Sequence, residues 1–258
     1  MQYIEEEKIF ERIPAPLLSW YETHKRDLPW RKNPTPYHVW VSEIMLQQTR
    51  VEAVKEYYAR FIKALPSVEA LARCEEEKLL KLWEGLGYYS RVRNMQKTAK
   101  IITFDFDGVF PSNMDALQRL PGIGAYTAGA IASIAFGQPV AAVDGNVLRV
   151  ASRLEENATP ISDVAYKKRL QQELSAVYPN TKAECSAFTQ SLFELGALVC
   201  KPQNPDCAVC PLSSLCKAKQ GGSQSRYPVV APKREKRWEK VQNRCRSRSC
   251  SGRTRGLL

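Results

Sequence analysis

The 258-residue chain is 44% apolar and 25% charged, enough to build one large core or two smaller ones. No run approaches the ~18 apolar residues of a membrane span, and the acidic start (Glu5, Glu6, Glu7) does not read as a signal peptide. A membrane protein, a secreted mini-scaffold and a disordered chain are excluded. Only two histidines, His24 and His38, are present, which disfavours His-based metal catalysis and a Ser-His-Asp hydrolase. The formal net charge of +11 is concentrated at one end: residues 221–258 hold 11 Lys/Arg and 2 Asp/Glu, against 27 and 25 in residues 1–220. If the body binds a polyanion, it does so through a local patch and backbone amides.

The body reads as successive helices. Arg50–Leu65 places Val51, Val54, Tyr57, Tyr58, Phe61, Ile62 and Leu65 at helical spacing. Thr49 and Glu52 form a candidate capping box at its start, and Pro66 stops it. Glu75–Glu84 repeats the pattern and is broken by Gly85 and Gly87, and Ser90–Phe104 follows. No stretch alternates with period 2 between hairpin turns, so the predicted class is all-α.

Four segments carry chemistry. In the first, Trp30-Arg31 is followed by Ser42-Glu43-Ile44-Met45-Leu46-Gln47-Gln48-Thr49, with Glu43 among apolar residues. A carboxyl in apolar surroundings has a raised pKa and can act as a general acid, although a Glu salt-bridged at a helix start is the plainer reading. Gln47-Gln48-Thr49 suits hydrogen bonding to base edges, or simply a turn.

In the second, Leu120-Pro121-Gly122-Ile123-Gly124-Ala125-Tyr126-Thr127-Ala128 joins two predicted helices, the first capped at Ser112. This is a helix-hairpin-helix pattern. Its glycines permit a close backbone approach, and the free amides of Gly122, Ile123 and Gly124 suit a phosphate. An ordinary αα-corner is the plainer reading.

In the third, Val140-Ala141-Ala142-Val143-Asp144-Gly145-Asn146-Val147 puts Asp144 at a helix N-terminus, where capping alone explains an Asp. In the fourth, Cys200-x6-Cys207-x2-Cys210-x5-Cys216 gathers four thiols in one loop, fitting a 4Fe–4S cluster or a tetrahedral zinc. Zinc sites more often use two short Cys-x2-Cys hooks, and one is present here, which favours the cluster. Cys74 and Cys185 read as ordinary buried thiols.

Taken together, these motifs resemble the helix-hairpin-helix DNA glycosylases of the endonuclease III branch, in which hairpin, downstream Asp and cysteine loop occur in this order. Trp30-Arg31, Ser42–Val51 and Asp144-Gly145-Asn146-Val147 resemble the adenine-specific members, and the resemblance covers about residues 8–230. It implies base-excision repair by hydrolysis of the N-glycosidic bond of adenine mispaired with 8-oxoguanine or guanine. It also implies two helical domains: a six-helix barrel over 30–136, and an iron–sulfur cluster domain from 1–29 and 137–220. Residues 221–258 are expected to form a linker and basic tail.

By the same resemblance, Glu43 protonates N7 of the flipped adenine and later helps activate water. Asp144 stabilises the oxocarbenium-like sugar, with Tyr126 and Asn146 in support. Trp30, Arg31, Leu46, Val51 and Gln190 match residues lining the adenine pocket, and Gln48, Leu86 and Tyr88 match residues that enter the duplex. Cys200, Cys207, Cys210 and Cys216 match the ligands of a 4Fe–4S cluster. Tyr126 stands where strand-cleaving relatives carry a nucleophilic Lys, so base removal without strand cleavage is expected.

The resemblance further implies a monomeric cytoplasmic, nucleoid-associated bacterial enzyme acting on mispaired double-stranded DNA. The family usually continues into a Nudix-like domain that recognises 8-oxoguanine. Here Gln242–Leu258 turns Arg/Ser/Cys-rich, so a truncated or frame-shifted end is expected. An endonuclease III-like glycosylase/lyase is opposed by Tyr126 and the Trp30–Thr49 segment. A non-catalytic cluster-bearing module is opposed by the presence of both Glu43 and Asp144.

Overall fold

A computed structural model describes residues 8–231, and among them the regular structure is entirely helical. After a 3-10 turn at Ile9–Arg12 come α1 (Pro14–His24), α2 (Pro29–Lys32), α3 (Pro36–Leu46), α4 (Val51–Ala64), α5 (Val68–Arg73), α6 (Glu76–Trp83) and α7 (Ser90–Asp105). Then follow α8 (Met114–Gln118), α9 (Ala125–Ala130), α10 (Gly145–Glu155), α11 (Val164–Ser175), α12 (Lys182–Glu194) and α13 (Lys217–Gln220). Two π-helical segments, Ile131–Ala135 and Leu195–Val199, extend α9 and α12.

Local chemistry sets most helix starts. Pro14, Pro29 and Pro36 open α1, α2 and α3, where a missing N–H costs nothing. Thr35, Ser67, Asp144, Asp163 and Thr181 accept from backbone amides two or three residues into their helices. Two expected caps differ. Arg50, not Thr49, is the N-cap of α4, and no side chain caps it; Glu52 pairs with Lys55 instead. Asn113 rather than Ser112 caps α8, accepting from Ala116 N at 2.8 Å, because its carbonyl oxygen reaches that amide one residue closer.

Two hydrophobic clusters organise the helices. One is built from Leu28 to Ala135, with Ala142, and holds Trp40, Phe61, Trp83 and Met95 at its centre. The other joins Phe10–Tyr21 to residues of 141–212, including Leu170 and Phe188. Phe193 on α12 packs against both, so α12 and its π-helical extension line the seam. Residues 221–231 were expected to be linker, but they are tied to the second cluster's helices. Arg153 Nε donates to Gln224 O and Tyr227 O, and Ile161 N donates to Val229 O at 3.0 Å. The expected basic tail beyond them, including Gln242–Leu258, lies outside the described residues.

Candidate active site

Glu43 sits in the third turn of α3, well inside the helix rather than at its start. It is 6% exposed and forms no ion pair. Burial pushes its carboxyl up to about 7, opposed by the Tyr126 hydroxyl that donates to Oε2 and by the Arg31 charge, and reinforced by Asp144. The arrangement is that of a carboxylic acid near neutral pH, not a solvated carboxylate.

Tyr126 reaches Glu43 because the 120–124 turn delivers it to the first turn of α9. Gly122 adopts φ +77, and a Cβ there would lie 2.9 Å from Asn94 Cβ. Thr98 Oγ1 ties the turn down by donating to Pro121 O at 2.7 Å. Gly122 and Gly124 are exposed, whereas the Ile123 side chain is a buried core residue, so only its backbone faces outward. Burial and the neighbouring carboxyls hold the Tyr126 hydroxyl well above its ordinary pKa, which keeps it a donor.

Asp144 is the N-cap of α10: Oδ1 accepts from Val147 N at 2.8 Å and Oδ2 from Asn146 Nδ2 at 2.7 Å. Burial raises its carboxyl pKa, and these bonds, with the Arg149 charge, work against the rise. Asn146 is fixed in turn by Arg149, whose Nη2 donates to Asn146 Oδ1 and to Gly196 O, both at 2.8 Å. Gly196 packs so closely that a Cβ there would lie 2.5 Å from Asn146 Cβ. Glycine is therefore required where α12 runs into its π-helical turn.

These groups share one cleft of about 370 Å³ on the seam between the two clusters. Glu43, Tyr126, Asp144 and Asn146 line it, as do Trp30, Arg31, Leu46, Gln48, Val51 and Gln190. Leu86 and Tyr88 do not. Leu86 is 6% exposed and belongs to the first core, so its expected place in a duplex is not offered by this conformation: its apolar side chain gains more from burial beneath Trp83. Tyr88 is 64% exposed on the same loop. Gln190 uses its amide on Ser186, donating to the carbonyl at 3.3 Å and to Oγ at 3.1 Å.

Sequence reasoning missed Glu194. It is fully buried on the cleft wall, accepting from Arg26 Nε at 2.7 Å and Nη2 at 2.9 Å, and from Arg31 Nη2 at 2.6 Å. A carboxylate among Leu192, Phe193 and Leu195 is the same signal that singled out Glu43. Arg31 is therefore held by an acid of α12 while it lines the cleft.

The four-cysteine loop wraps the C-terminal half of α10. Arg153 Nη1 donates to Cys200 Sγ at 3.3 Å, Cys216 Sγ donates to Arg153 O at 3.4 Å, and Gln224 Nε2 approaches Cys207 Sγ at 3.8 Å. Burial pushes the Cys210 thiol up to about 12, with the charges of Cys200, Cys216 and Cys207 adding to the rise, so the four sulfurs surround a common space. Among the described residues no three such side chains converge on a point that would hold a single ion. Zn–S bonds of about 2.3 Å need convergence, whereas a four-iron cluster spaces its ligands widely, so the donor set fits the cluster. Cys185 is buried as expected; Cys74 is only half-buried, with Sγ donating to Glu75 O.

Comparison with known proteins agrees with this geometry. Residues 41–176 match the family model of the HhH-GPD superfamily base excision DNA repair proteins, and residues 200–216 match the iron–sulfur binding domain of endonuclease III. The chain is 46% identical over 224 residues to the adenine DNA glycosylase of Rattus norvegicus, covering 83% of this chain and 43% of that protein. It is 41% identical over 203 residues to the adenine DNA glycosylase of Buchnera aphidicola subsp. Baizongia pistaciae, covering 78% and 57%. The chain thus spans about half the length of these relatives. Among solved structures, a thermostable thymine-DNA glycosylase superposes with a TM-score of 0.73 at 28% identity, covering 83% of this chain and 98% of that one. Endonuclease III in a non-covalent complex with DNA gives 0.67 at 25% identity, covering 83% and 97%.

Proposed function

The chain belongs to the HhH-GPD superfamily of base excision DNA repair proteins, with a 4Fe–4S cluster as its cofactor, and we propose that it hydrolyses the N-glycosidic bond of adenine mispaired with 8-oxoguanine or guanine in duplex DNA. The observation that carries this reading is the pair of carboxyls on one cleft, Glu43 and Asp144, joined through Tyr126 and differing in surroundings. Glu43 is buried among apolar groups, whereas Asp144 is held by amide donors. Two carboxyls driven apart in this way serve as acid and as cation stabiliser. In support of the two-domain reading, residues 30–136 and residues 137–220 with 1–29 largely separate into the two hydrophobic clusters.

Adenine must leave the stack to reach the cleft. Glu43, in its acid form, gives its proton to N7, and the electrons of the C1′–N9 bond leave with the neutral base. The sugar becomes oxocarbenium-like, and the Asp144 carboxylate, fixed by Val147 N and Asn146, opposes that charge. Water then adds to C1′, and Glu43 takes back a proton. Trp30, Arg31, Leu46, Val51 and Gln190 shape the pocket. Tyr126 has no amine to form an imine with C1′, so the strand stays intact.

Cys200, Cys207, Cys210 and Cys216 hold the cluster, which organises their loop against α10. The amides of Gly122, Ile123 and Gly124 take a phosphate of the strand. The protein acts as a monomer. No helix among the described residues is long and apolar enough to cross a membrane.

The test is adenine release from duplexes carrying A·8-oxoguanine or A·G, with and without alkali. Adenine release with strand breaks only after alkali is the expected result. No release from either mispair would sink the assignment, and strand cleavage without alkali would favour the glycosylase/lyase reading.

A further inference from the structure

Arg91, in the first turn of α7, ties together two loops that carry strained, exposed residues. Nη1 donates to Gln47 O at 2.7 Å and to Ile44 O at 2.8 Å; Nη2 donates to Leu86 O at 2.9 Å and to Gly87 O at 3.3 Å. Its guanidinium also lies 5.3 Å from the Trp83 ring and 5.7 Å from the Tyr88 ring. The residue after each end of this bridge is unusual. Gln48 has φ 60 and Tyr88 φ 47, both left-handed without being glycine, and both side chains are exposed. Non-glycine residues hold that conformation only where the surroundings over-determine it, at a cost of about 1 kcal/mol or more each.

The same guanidinium closes the C-terminal end of α3, the helix that carries Glu43, by taking carbonyls no helical amide reaches. One side chain therefore fixes the acid's helix, the Gln48 turn at the cleft mouth and the Tyr88 loop relative to one another. Extruding a base leaves a gap in the stack, and inserted side chains commonly fill such gaps.

We propose that Arg91 is the positioning residue for extrusion: it sets Gln48 and Tyr88 as a rigid pair beside the cleft that receives the base. The assignment rests on the glycosylase reading above. Lysine has one nitrogen and cannot span both loops, so Arg91→Lys keeps the charge but loses the bridge.

The experiment compares full-length wild-type, Arg91→Lys and Arg91→Met proteins on an A·8-oxoguanine duplex. A 2-aminopurine next to the target adenine reports unstacking, and single-turnover excision is followed across pH. In both variants the unstacking signal should fall, and excision should drop by about 10- to 100-fold, the loss of hydrogen bonds from a charged group. The pH midpoint set by Glu43 should stay in place, and iron content should be unchanged. Adding Gln48→Ala and Tyr88→Ala should cost less in the Arg91→Met background than in wild type.

Unchanged unstacking and excision in folded Arg91→Met would overturn the proposal. So would a moved pH midpoint, which would place Arg91 in the support of Glu43 rather than in extrusion. If Arg91→Met fails to fold, Arg91→Lys decides by the same readouts, and full extrusion in Arg91→Lys would overturn the bridge. A wild-type protein that excises no adenine would overturn the glycosylase reading and this proposal together, whereas an active wild type with indifferent variants removes this proposal alone.

Discussion

The Tyr126 hydroxyl donates to Glu43 Oε2, joining the first turn of α9 to the third turn of α3 inside the seam. Tyrosine is a donor that does not ionise here, so it can steady either protonation state of Glu43 without supplying a charge of its own. The carboxyl remains governed by burial, which raises it to about 7.

Glu43 therefore gives a pH dependence with a defined sign. The acid form prevails below about 7, so single-turnover excision should be fastest there and fall about tenfold per pH unit above it. Glu43→Gln should remove most of the rate, by about 10²- to 10⁴-fold, and the pH dependence with it. Stability should move the other way. With the folded pKa raised above that of the unfolded chain, ionised Glu43 opposes folding once pH passes 7, and this penalty fades as pH falls towards the unfolded value of 4.5. At about pH 8 the Gln variant should be more stable than wild type by of order 1–3 kcal/mol, with the difference shrinking in acid. A flat rate profile, or a Gln variant less stable at high pH, would remove Glu43 from the acid role.

Asp144→Asn should nearly abolish excision while leaving duplex binding and stability close to wild type. Asparagine still caps α10 through Val147 N, so helix stability should change by less than about 1 kcal/mol. What disappears is the charge facing the developing cation, an effect of about 10²- to 10³-fold or more. Wild-type single-turnover rates in the variant would leave Asp144 as a cap alone.

Local signals in the sequence were legible where the physics is local. Asp144 precedes a helical pattern and does cap α10, and Glu43 stands out because Ile44 and Met45 beside it are core residues. Relationships across the chain were not legible. The Tyr126–Glu43 bond spans 83 positions, and nothing in either segment names its partner. Thr49 and Glu52 have the spacing of a capping box, but the left-handed Gln48 turns the backbone before the helix and leaves Arg50 as the cap. Leu86 resembles an inserted residue by motif, yet Trp83 N–H bonding to Gly87 O folds its loop inward. Glycines 221 and 222 read as linker, while Arg153, buried far upstream, fixes the carbonyls that follow them.

Glu194 is the residue that composition and spacing passed over, and its removal should be costly. Glu194→Ala leaves Arg26 and Arg31 facing each other with no acid between them, beside a buried void. Breaking a buried pair by deleting one partner typically costs about 3–5 kcal/mol; partial exposure of the arginines should bring this nearer 3. Denaturant unfolding measures it directly. Because Arg31 loses its tether on the cleft wall, adenine excision at sub-saturating enzyme should weaken more than the single-turnover rate at saturation. A loss below about 0.5 kcal/mol would show that the triad is incidental.

Cys207→Ser should remove the cluster without altering the titration of Glu43. Chemical analysis of anaerobically purified wild-type protein should find iron and sulfide together, and the variant should lose both. The loop lacks regular structure between Cys200 and Lys217 and depends on its metal for order, so thermal stability and DNA affinity should fall. Any residual excision should keep its midpoint near pH 7, since Cys207 lies outside the cleft. Stoichiometric zinc without iron in the wild type would replace the cluster with a mononuclear site.

Tyr126→Lys tests the absence of strand cleavage. A lysine amine beside the anomeric carbon can attack it, form an imine and open a path to strand scission, which tyrosine cannot do. The new amine faces two opposed influences. Burial lowers its pKa towards the neutral, nucleophilic form, while Glu43 and Asp144, which already couple to Tyr126, raise it. The amine must be neutral and Glu43 must be protonated, and these conditions pull in opposite directions along the pH axis. Borohydride-trapped adduct should therefore appear only in the variant and pass through a maximum with pH, falling on the acid side as the amine protonates and on the alkaline side as Glu43 ionises. The unmodified protein should give no adduct and leave an intact abasic strand until alkali is added. Efficient strand cleavage by the unmodified protein would refute this assignment, and a variant adduct that rises steadily with pH would show that Glu43 is not needed to release the base.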